Sequence, residues 1–185
     1  MLKTIEQDAE SRMGKSIEAL RSELSKLRTG RANTVILEHL RVEYYGTPTP
    51  IDQVATVSVM DARTLSVSPW EKSMIPVLEK AIMESDLGLN PVTSGETIRI
   101  PVPALTEERR KEMSKLVRAE GENAKIAIRN IRRDANNHMR EFLKEKEITE
   151  DEEKHGHDRV QGITDSFVKK IDELVAAKEQ EIMEV

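Results

Sequence analysis

The segment from Leu105 to Glu147 constrains the fold more than any other part of the chain, because it contains no proline and keeps one helical period throughout. A continuous helix of this span would extend for roughly 60 Å, at ~1.5 Å per residue. Its apolar positions recur every three or four residues: Met113, Leu116 or Val117, Ala124, Ile128, Ile131, Ala135, Met139 and Phe142. This stripe predicts a long helix that buries one side against other helices.

The same segment carries a basic surface that lies away from the apolar stripe. At ~100° per residue, its cations fall within an arc of roughly 100°. The members of this basic arc are Lys111, Lys115, Arg118, Lys125, Arg129, Arg132, Arg133 and Arg140, and between the first and last of them Glu122 is the one acid inside it. Two interpretations stay open: a solvated face that pairs with nearby acids, or a line of cations that contacts phosphates. The single sign of the arc favours the second.

Two other segments share the helical period. Apolar residues recur at intervals of three and four over residues 2–28, and we expect that helix to end at Thr29-Gly30-Arg31 with Gly30 as its C-cap. A last helix is predicted from Thr149, which can form a capping box with Glu152. None of the three helices can bury its stripe alone, so we predict a long antiparallel three-helix bundle from residues 1–30 and 105–185.

The residues between the bundle segments, 31–104, are predicted to form a small inserted β/α/β domain. Strands are expected at 41–45, 56–59, 64–68 and 97–100, and a helix at 76–83. The run Gly46-Thr47-Pro48-Thr49-Pro50 is expected to end the first strand. The fold class is therefore α+β with two domains. Hinges are expected near 29–31 and 101–106, at Thr29, Gly30, Pro101, Pro103 and Ala104.

Composition narrows the functional classes. Only 3% of the residues are aromatic while 34% are charged, which suits long helices with narrow apolar seams. The net charge is −5, but the acidic excess concentrates after residue 149, so the protein can still present a basic face. No cysteine is present for disulfides or thiolate chemistry. Early acidic residues argue against a signal peptide, and no apolar run reaches membrane-spanning length. We expect a cytoplasmic monomer that does not bind membranes.

The sequence offers no convincing catalytic or metal-binding pattern. His155 and His157 supply two possible ligands on one exposed turn, too few for a metal site without partners. No phosphate-binding glycine loop, nucleophile elbow or His-Glu-x-x-His pattern occurs. Tyr44, Tyr45 and Trp70 could stack nucleic-acid bases, although a place in the core and rim of the small domain is the favoured interpretation. We therefore predict a binding protein without a cofactor, not an enzyme.

Several long motifs occur in a fixed order along the chain. They are Leu27-Arg28-Thr29-Gly30-Arg31-Ala32, Val42-Glu43-Tyr44-Tyr45-Gly46-Thr47-Pro48-Thr49-Pro50, Ser85-Asp86-Leu87-Gly88-Leu89-Asn90-Pro91, Leu105-Thr106-Glu107-Glu108-Arg109-Arg110-Lys111 and Arg129-Asn130-Ile131-Arg132-Arg133-Asp134-Ala135-Asn136. With these motifs the chain closely resembles the bacterial ribosome recycling factors, essentially from end to end. The turn around Lys154-His155-Gly156-His157 departs from the family pattern.

The resemblance implies a specific shape and function. Family members are L-shaped proteins of about transfer-RNA size, with a three-helix domain I hinged to a β/α/β domain II. They bind the post-termination ribosome, with domain I over the acceptor and peptidyl sites of the large subunit. With elongation factor G and its GTP hydrolysis, they split the subunits so that messenger and transfer RNA leave, and they hydrolyse nothing themselves.

The resemblance also suggests which residues contact ribosomal RNA. Arg132 matches an arginine tied to ribosome binding in the family, with Arg110, Arg129 and Arg133 alongside it. Arg28 and Arg31 are included in the expected RNA-binding set, although a place near a helix C-terminus would explain both. Two rival functions are a coiled-coil chaperone or adaptor, and a sequence-tolerant RNA-binding protein unrelated to recycling.

Overall fold

The computed structural model describes residues 1–184, which divide into two compact units. The helical unit contains Met1–Ser25 and Ser114–Gln180, and the small unit contains Lys26–Met113 with residues 181–184. The elements are α1 (Leu2–Ser25), β1 (Arg41–Tyr44), β2 (Thr47–Pro50), β3 (Ala55–Asp61), β4 (Thr64–Pro69), α2 (Ile75–Glu84), β5 (Val92–Ser94), β6 (Thr97–Pro101), α3 (Glu107–Lys144) and α4 (Glu150–Met183). The predicted α+β class is confirmed, whereas the domain limits at residues 30 and 105 and the hinges stay predictions.

The helical unit is built from the three predicted amphipathic helices. Their buried apolar side chains follow the stripes read from the sequence: Ile5, Ala9, Met13, Ile17, Leu20 and Leu24 from α1; Val117, Ala124, Ile128, Ile131, Ala135 and Met139 from α3; Val160, Phe167 and Ile171 from α4. Of the two alternatives at one position of the α3 stripe, Val117 is buried and Leu116 is 45% exposed. Ion pairs from Arg118 to Glu179 and from Lys125 to Asp172 show that α3 runs antiparallel to α4.

The helix ends agree only in part with the prediction. Thr149 and Glu152 form the expected capping box, in which Glu152 Oε2 accepts from the Thr149 N–H at 2.7 Å and Thr149 Oγ1 accepts from the Glu152 N–H at 3.2 Å. The predicted C-cap at Gly30 is wrong, because α1 ends at Ser25, whose hydroxyl donates to the Ser22 carbonyl. Gly30 has a φ of +78°, but it lies five residues beyond the helix in irregular backbone.

The small unit contains a four-stranded antiparallel sheet in the order β3-β4-β6-β5 and a separate two-stranded ribbon of β1 and β2. The sheet buries Leu65, Val67, Ile98 and Ile100, and α2 adds Leu78 and Ile82 to the same core. The predicted helix at 76–83 is confirmed with Pro76 in its first turn, where a missing N–H is tolerated. The predicted strands at 56–59, 64–68 and 97–100 are also confirmed.

Two strands were not expected from the sequence. Residues 47–50 form β2, although this run was predicted to end a strand. Proline is tolerated there because β2 pairs with β1 on one side only, so a missing N–H can face away from the ladder. The second unexpected strand is β5, three exposed residues joined to β6 by a turn at Gly95 with a φ of +64°. Its side chains carry no apolar pattern that could predict it.

No helix within residues 1–184 is long and apolar enough to cross a membrane.

Candidate nucleic-acid interface

The first half of the basic arc is largely neutralised within the helical unit and at the start of α3. Lys125 Nζ lies 2.7 Å from Asp172 and 3.7 Å from Glu122, and the hydrogen bond to Asp172 raises the pKa of the Lys125 amine. Arg118 pairs with Glu179, and Lys111 lies 3.5 Å from Glu107. These cations face carboxylates of α3 or α4, which is the arrangement expected of a solvated helix face.

The second half of the arc is different. Arg129, Arg133 and Arg140 are exposed on α3 and have no carboxylate oxygen within 4.0 Å among residues 1–184. Arg129 and Arg133 are four residues apart, so they lie on one line along the helix. The positive charge of this part of α3 is therefore available to an external anion.

Arg132 lies beside this pair and contacts a neutral partner. It is half-buried, and its Nη1 donates to Oε1 of Gln161 on α4 at 3.3 Å. Gln161 in turn donates to Asp165 at 2.8 Å, so the Gln161 amide separates the guanidinium from that acid. The contact orients Arg132 without neutralising it, and leaves further N–H donors of the guanidinium for an anion.

Asp134, the acid that follows these arginines in the sequence, is paired with an arginine of another helix. Asp134 accepts a 3.0 Å bond from Arg12 on α1, so its charge is paired across the bundle. We name Arg129, Arg132 and Arg133 the arginine trio. The structure brings these three predicted residues together within five residues of α3, and the acid next to them in the sequence, Asp134, is paired with Arg12.

The other predicted RNA-binding residues do not join the trio. Arg110 is half-buried in the first turn of α3, where its backbone N–H donates to Thr106 at 2.9 Å. At ~100° per residue it lies on the side of the apolar stripe, outside the basic arc. Arg28 and Arg31 are exposed in the small unit, and Nη1 of Arg28 donates to the Leu87 carbonyl at 2.9 Å.

The predicted hinge segments differ in their surroundings. Thr29 and Gly30 are buried, and β6 continues through Pro101, which lies opposite Thr64. Pro103 and Ala104 are exposed in irregular backbone.

One turn of the small unit, Ala62-Arg63, binds both of the segments that were predicted to join the two domains. Ala32 N–H donates to the Ala62 carbonyl at 2.8 Å, and Val102 N–H donates to the Arg63 carbonyl at 2.7 Å. The turn is held by Oδ1 of Asp61, which accepts from the Arg63 N–H at 2.9 Å. This backbone bond lowers the pKa of the Asp61 carboxyl, so the carboxylate stays ionised and accepting at neutral pH.

The aromatic residues of the small unit lie at its surface. Tyr45 is 82% exposed and Trp70 is 65% exposed, so neither lies in the core; each directly follows a strand, at the rim that the sequence interpretation included, whereas Tyr44 is half-buried. Both phenols donate to Glu71, Tyr44 at 3.0 Å and Tyr45 at 3.2 Å. These bonds to a carboxylate raise the pKa of both tyrosines, which keeps them protonated well above neutral pH. A carboxylate bonded to both tyrosine hydroxyls is unfavourable beside a phosphate backbone.

The histidine pair shows no shared site. His155 Nδ1 contacts the Asp151 carbonyl at 2.7 Å, while His157 Nε2 lies 3.5 Å from Glu153, so each ring turns to a residue one turn earlier. In the part of the chain that the structure describes, no three His, Asp or Glu side chains are grouped so that they could hold a metal ion.

Comparison with known proteins gives a consistent result. The family model described as "Ribosome recycling factor" matches residues 20–183. Proteins named ribosome-recycling factor are 59% identical in Thioalkalivibrio sulfidiphilus, over 100% of both chains, and 58% identical in Ralstonia pickettii, over 98% of this chain and 97% of that protein.

Solved structures are similar over the same length. A solution structure of the ribosome recycling factor is 41% identical, with a TM-score of 0.75 over 100% of this chain and 98% of that one. Models of the T. thermophilus ribosome recycling factor and the E. coli elongation factor G, bound to the E. coli post-termination complex, include a chain that is 47% identical. Its TM-score is 0.67, over 98% of both chains.

Proposed function

The chain belongs to the ribosome recycling factor family, and from that premise we propose that it recycles ribosomes after termination in the cytoplasm. It binds the post-termination ribosome across the acceptor and peptidyl sites of the large subunit. With elongation factor G and GTP hydrolysis, it separates the subunits so that messenger RNA and deacylated transfer RNA are released. It is a translation factor and not an enzyme.

One observation carries this proposal. The chain matches, over 98% of its length, a ribosome recycling factor described together with elongation factor G on the post-termination complex. Identity of 59% to the Thioalkalivibrio sulfidiphilus protein and of 54% to a Legionella pneumophila protein extends over 100% of the chain, so both units are part of the match.

A splitting assay tests the function directly. Post-termination ribosomes mixed with this protein, elongation factor G and GTP are expected to separate into subunits, as followed by light scattering and gradient sedimentation. Omission of any one component should leave the ribosomes intact. Splitting without elongation factor G, or none with the full mixture, would contradict the proposal. An adaptor would bind without steep salt dependence, and a general RNA-binding protein would retain naked single strands as well as ribosomes.

Within this function, we assign ribosomal RNA contact to the arginine trio first. Its guanidinium groups are exposed or half-buried and lack carboxylate partners in residues 1–184, and each can present a planar pair of donors to a phosphate. Arg28, Arg31 and Arg110 remain candidates for further RNA contacts. Arg31 suits this role better than Arg28, because Arg28 already donates to a carbonyl of its own unit.

The hinge proposal is supported by the backbone hydrogen bonds of the two segments that join the predicted domains. One end of each segment is bonded to the Ala62-Arg63 turn, while Pro103 and Ala104 are exposed and free of regular structure. We propose that bending is concentrated in residues 103–106, with the backbone at Thr29 and Gly30 adjusting less because it is buried. Pro101 acts as the fixed end of the connector, since it belongs to β6.

Loosening this connector should separate binding from splitting. Glycine at Pro103 and Ala104 adds about 0.4–1 kcal/mol of backbone freedom at each position, so this connector holds the predicted domain of residues 31–104 less firmly. We expect ribosome affinity to change less than threefold and the splitting rate to fall several-fold, as measured by pelleting and light scattering. The control is glycine at Asn90 and Pro91, in a loop of the small unit. Equal splitting rates in both variants would show that the connector's stiffness is unimportant.

A further inference from the structure

A cleft in the small unit is not explained by the contacts assigned so far. It has a volume of about 460 Å³ and lies between β3 and the turn of 3₁₀ helix at Thr34–Leu37. Leu37, Ile51 and Val57 give it an apolar floor, while Trp70, Glu38 and Asp52 complete its lining. Its size is within the roughly 300–1,000 Å³ of ligand-binding pockets.

Trp70 is positioned like a binding residue. It is the one tryptophan in the chain, and 65% of it is exposed, although tryptophan is usually well buried. Its Nε1 donates to Oγ1 of Thr56 at 3.2 Å, so the polar edge of the ring is satisfied within the cleft lining. The exposed part of the ring therefore offers a fixed aromatic surface to a partner.

The charged residues that line the cleft favour a cationic occupant. Glu38 and Asp52 are both exposed, and neither has a lysine, arginine or histidine nitrogen within 4.0 Å in the described chain. No basic residue is among those that line the cleft. Two uncompensated carboxylates repel phosphate groups, so this surface is unsuited to RNA, unlike the arginine trio of the other unit.

We propose that this cleft receives an arginine or lysine side chain from a basic segment of a protein partner in the post-termination complex. The aliphatic part of that side chain would cover the apolar floor, and its cationic end would lie between the carboxylates and the face of Trp70. Bonds to carboxylates and contact with an aromatic face are both strongest for a guanidinium, so arginine is the preferred occupant. This inference rests on the proposed function, because that function places the partner in the post-termination complex.

Photo-crosslinking tests the partner's chemistry. Thr34 is exposed and lines the cleft, so p-benzoylphenylalanine at this position samples the occupant while leaving Trp70, Glu38 and Asp52 intact. The labelled protein is first checked for splitting with elongation factor G and GTP, then irradiated on post-termination ribosomes. The matched control carries the same label at Met83, which is 64% exposed on α2 and outside the cleft lining.

The expected product is a crosslink from position 34 to a protein, at a peptide that contains arginine or lysine. In the E38Q/D52N background its yield should fall about tenfold, because both carboxylates are neutralised while their size is retained. The inference is overturned if the labelled protein splits ribosomes but crosslinks at position 34 to RNA or to nothing. It is also overturned if the yield is the same in the E38Q/D52N background. Failure of the wild-type protein to split ribosomes would instead refute the proposed function.

Discussion

Replacing Arg132 with glutamine is expected to weaken ribosome binding by about 10- to 150-fold, because a hydrogen bond to a charged group contributes about 1.5–3 kcal/mol. The side chain is half-buried and contacts only the neutral Gln161 among the contacts described, so its charge is available to a phosphate. Glutamine is preferable to glycine here, since it preserves helix propensity, which glycine would lower by about 1 kcal/mol. The bundle should stay folded, because the basic arc carries no core residue.

Affinity for large subunits, measured by pelleting over a range of salt concentrations, provides the readout. Loss of one phosphate contact should reduce the slope of log K against log salt by about one. Arg132→Lys keeps the charge but not the planar pair of donors, so intermediate binding is expected. The matched control is Arg21→Gln, an exposed arginine of α1 that pairs with Glu18 on its own helix. If Arg132→Gln and Arg21→Gln bind equally well, the assignment of the arginine trio is wrong.

The sequence predicts where the basic arc lies on α3, but not which of its cations are paired with carboxylates. A period of 3.6 residues places eight cations on one side of α3 without any knowledge of the neighbouring helix. Which of them are neutralised depends on α4, which places Asp172 beside Lys125 and Glu179 beside Arg118 but a neutral amide beside Arg132. Such pairings join residues 29 to 61 positions apart, and no local pattern contains them. The resemblance to the family selected the arginine trio where periodicity alone did not.

The long helices were predictable because each repeats its pattern over many turns, whereas the missed elements are short. Tyr45 and Gly46 have φ values of +48° and +80°, which fit a tight hairpin turn between β1 and β2. Tyrosine rarely adopts a positive φ, so a two-residue hairpin turn at Tyr45 and Gly46 was not predicted. Similarly, Gly30 suggested a helix end by its residue type, but the turn that ends α1 is closed by Ser25.

The glycines of α3 and α4 differ in the space around them, which the sequence alone does not reveal. A Cβ at Gly121 would lie 2.6 Å from Cγ2 of Val175, and one at Gly156 would lie 2.6 Å from Sδ of Met139. A Cβ at Gly162 would meet nothing within 4 Å. At two of the three positions a side chain of the facing helix therefore occupies the space that a Cβ would need, and the third has no such constraint.

Gly121→Ala is accordingly expected to lower the free energy of unfolding of the helical unit by up to about 2 kcal/mol, because overpacking of up to about 3 kcal/mol is offset by about 1 kcal/mol of helix propensity. Val175 cannot rotate away easily, because a β-branched side chain in a helix has one strongly preferred rotamer. Gly156→Ala should be nearly neutral, since the flexible Met139 side chain can move. Gly162→Ala should stabilise by about 1 kcal/mol.

Thermal unfolding of the three alanine variants measures this order, with about 2–4 °C expected per kcal/mol for a chain of this size. The G121A/V175A double variant removes the methyl group that the new Cβ would meet, and the two changes should therefore be strongly non-additive. Additive effects would mean that contact with Val175 is not the reason why alanine at position 121 is destabilising. Stabilisation by Gly121→Ala equal to that by Gly162→Ala would mean that α3 and α4 can separate there at no cost, and that Gly121 is not needed for their packing.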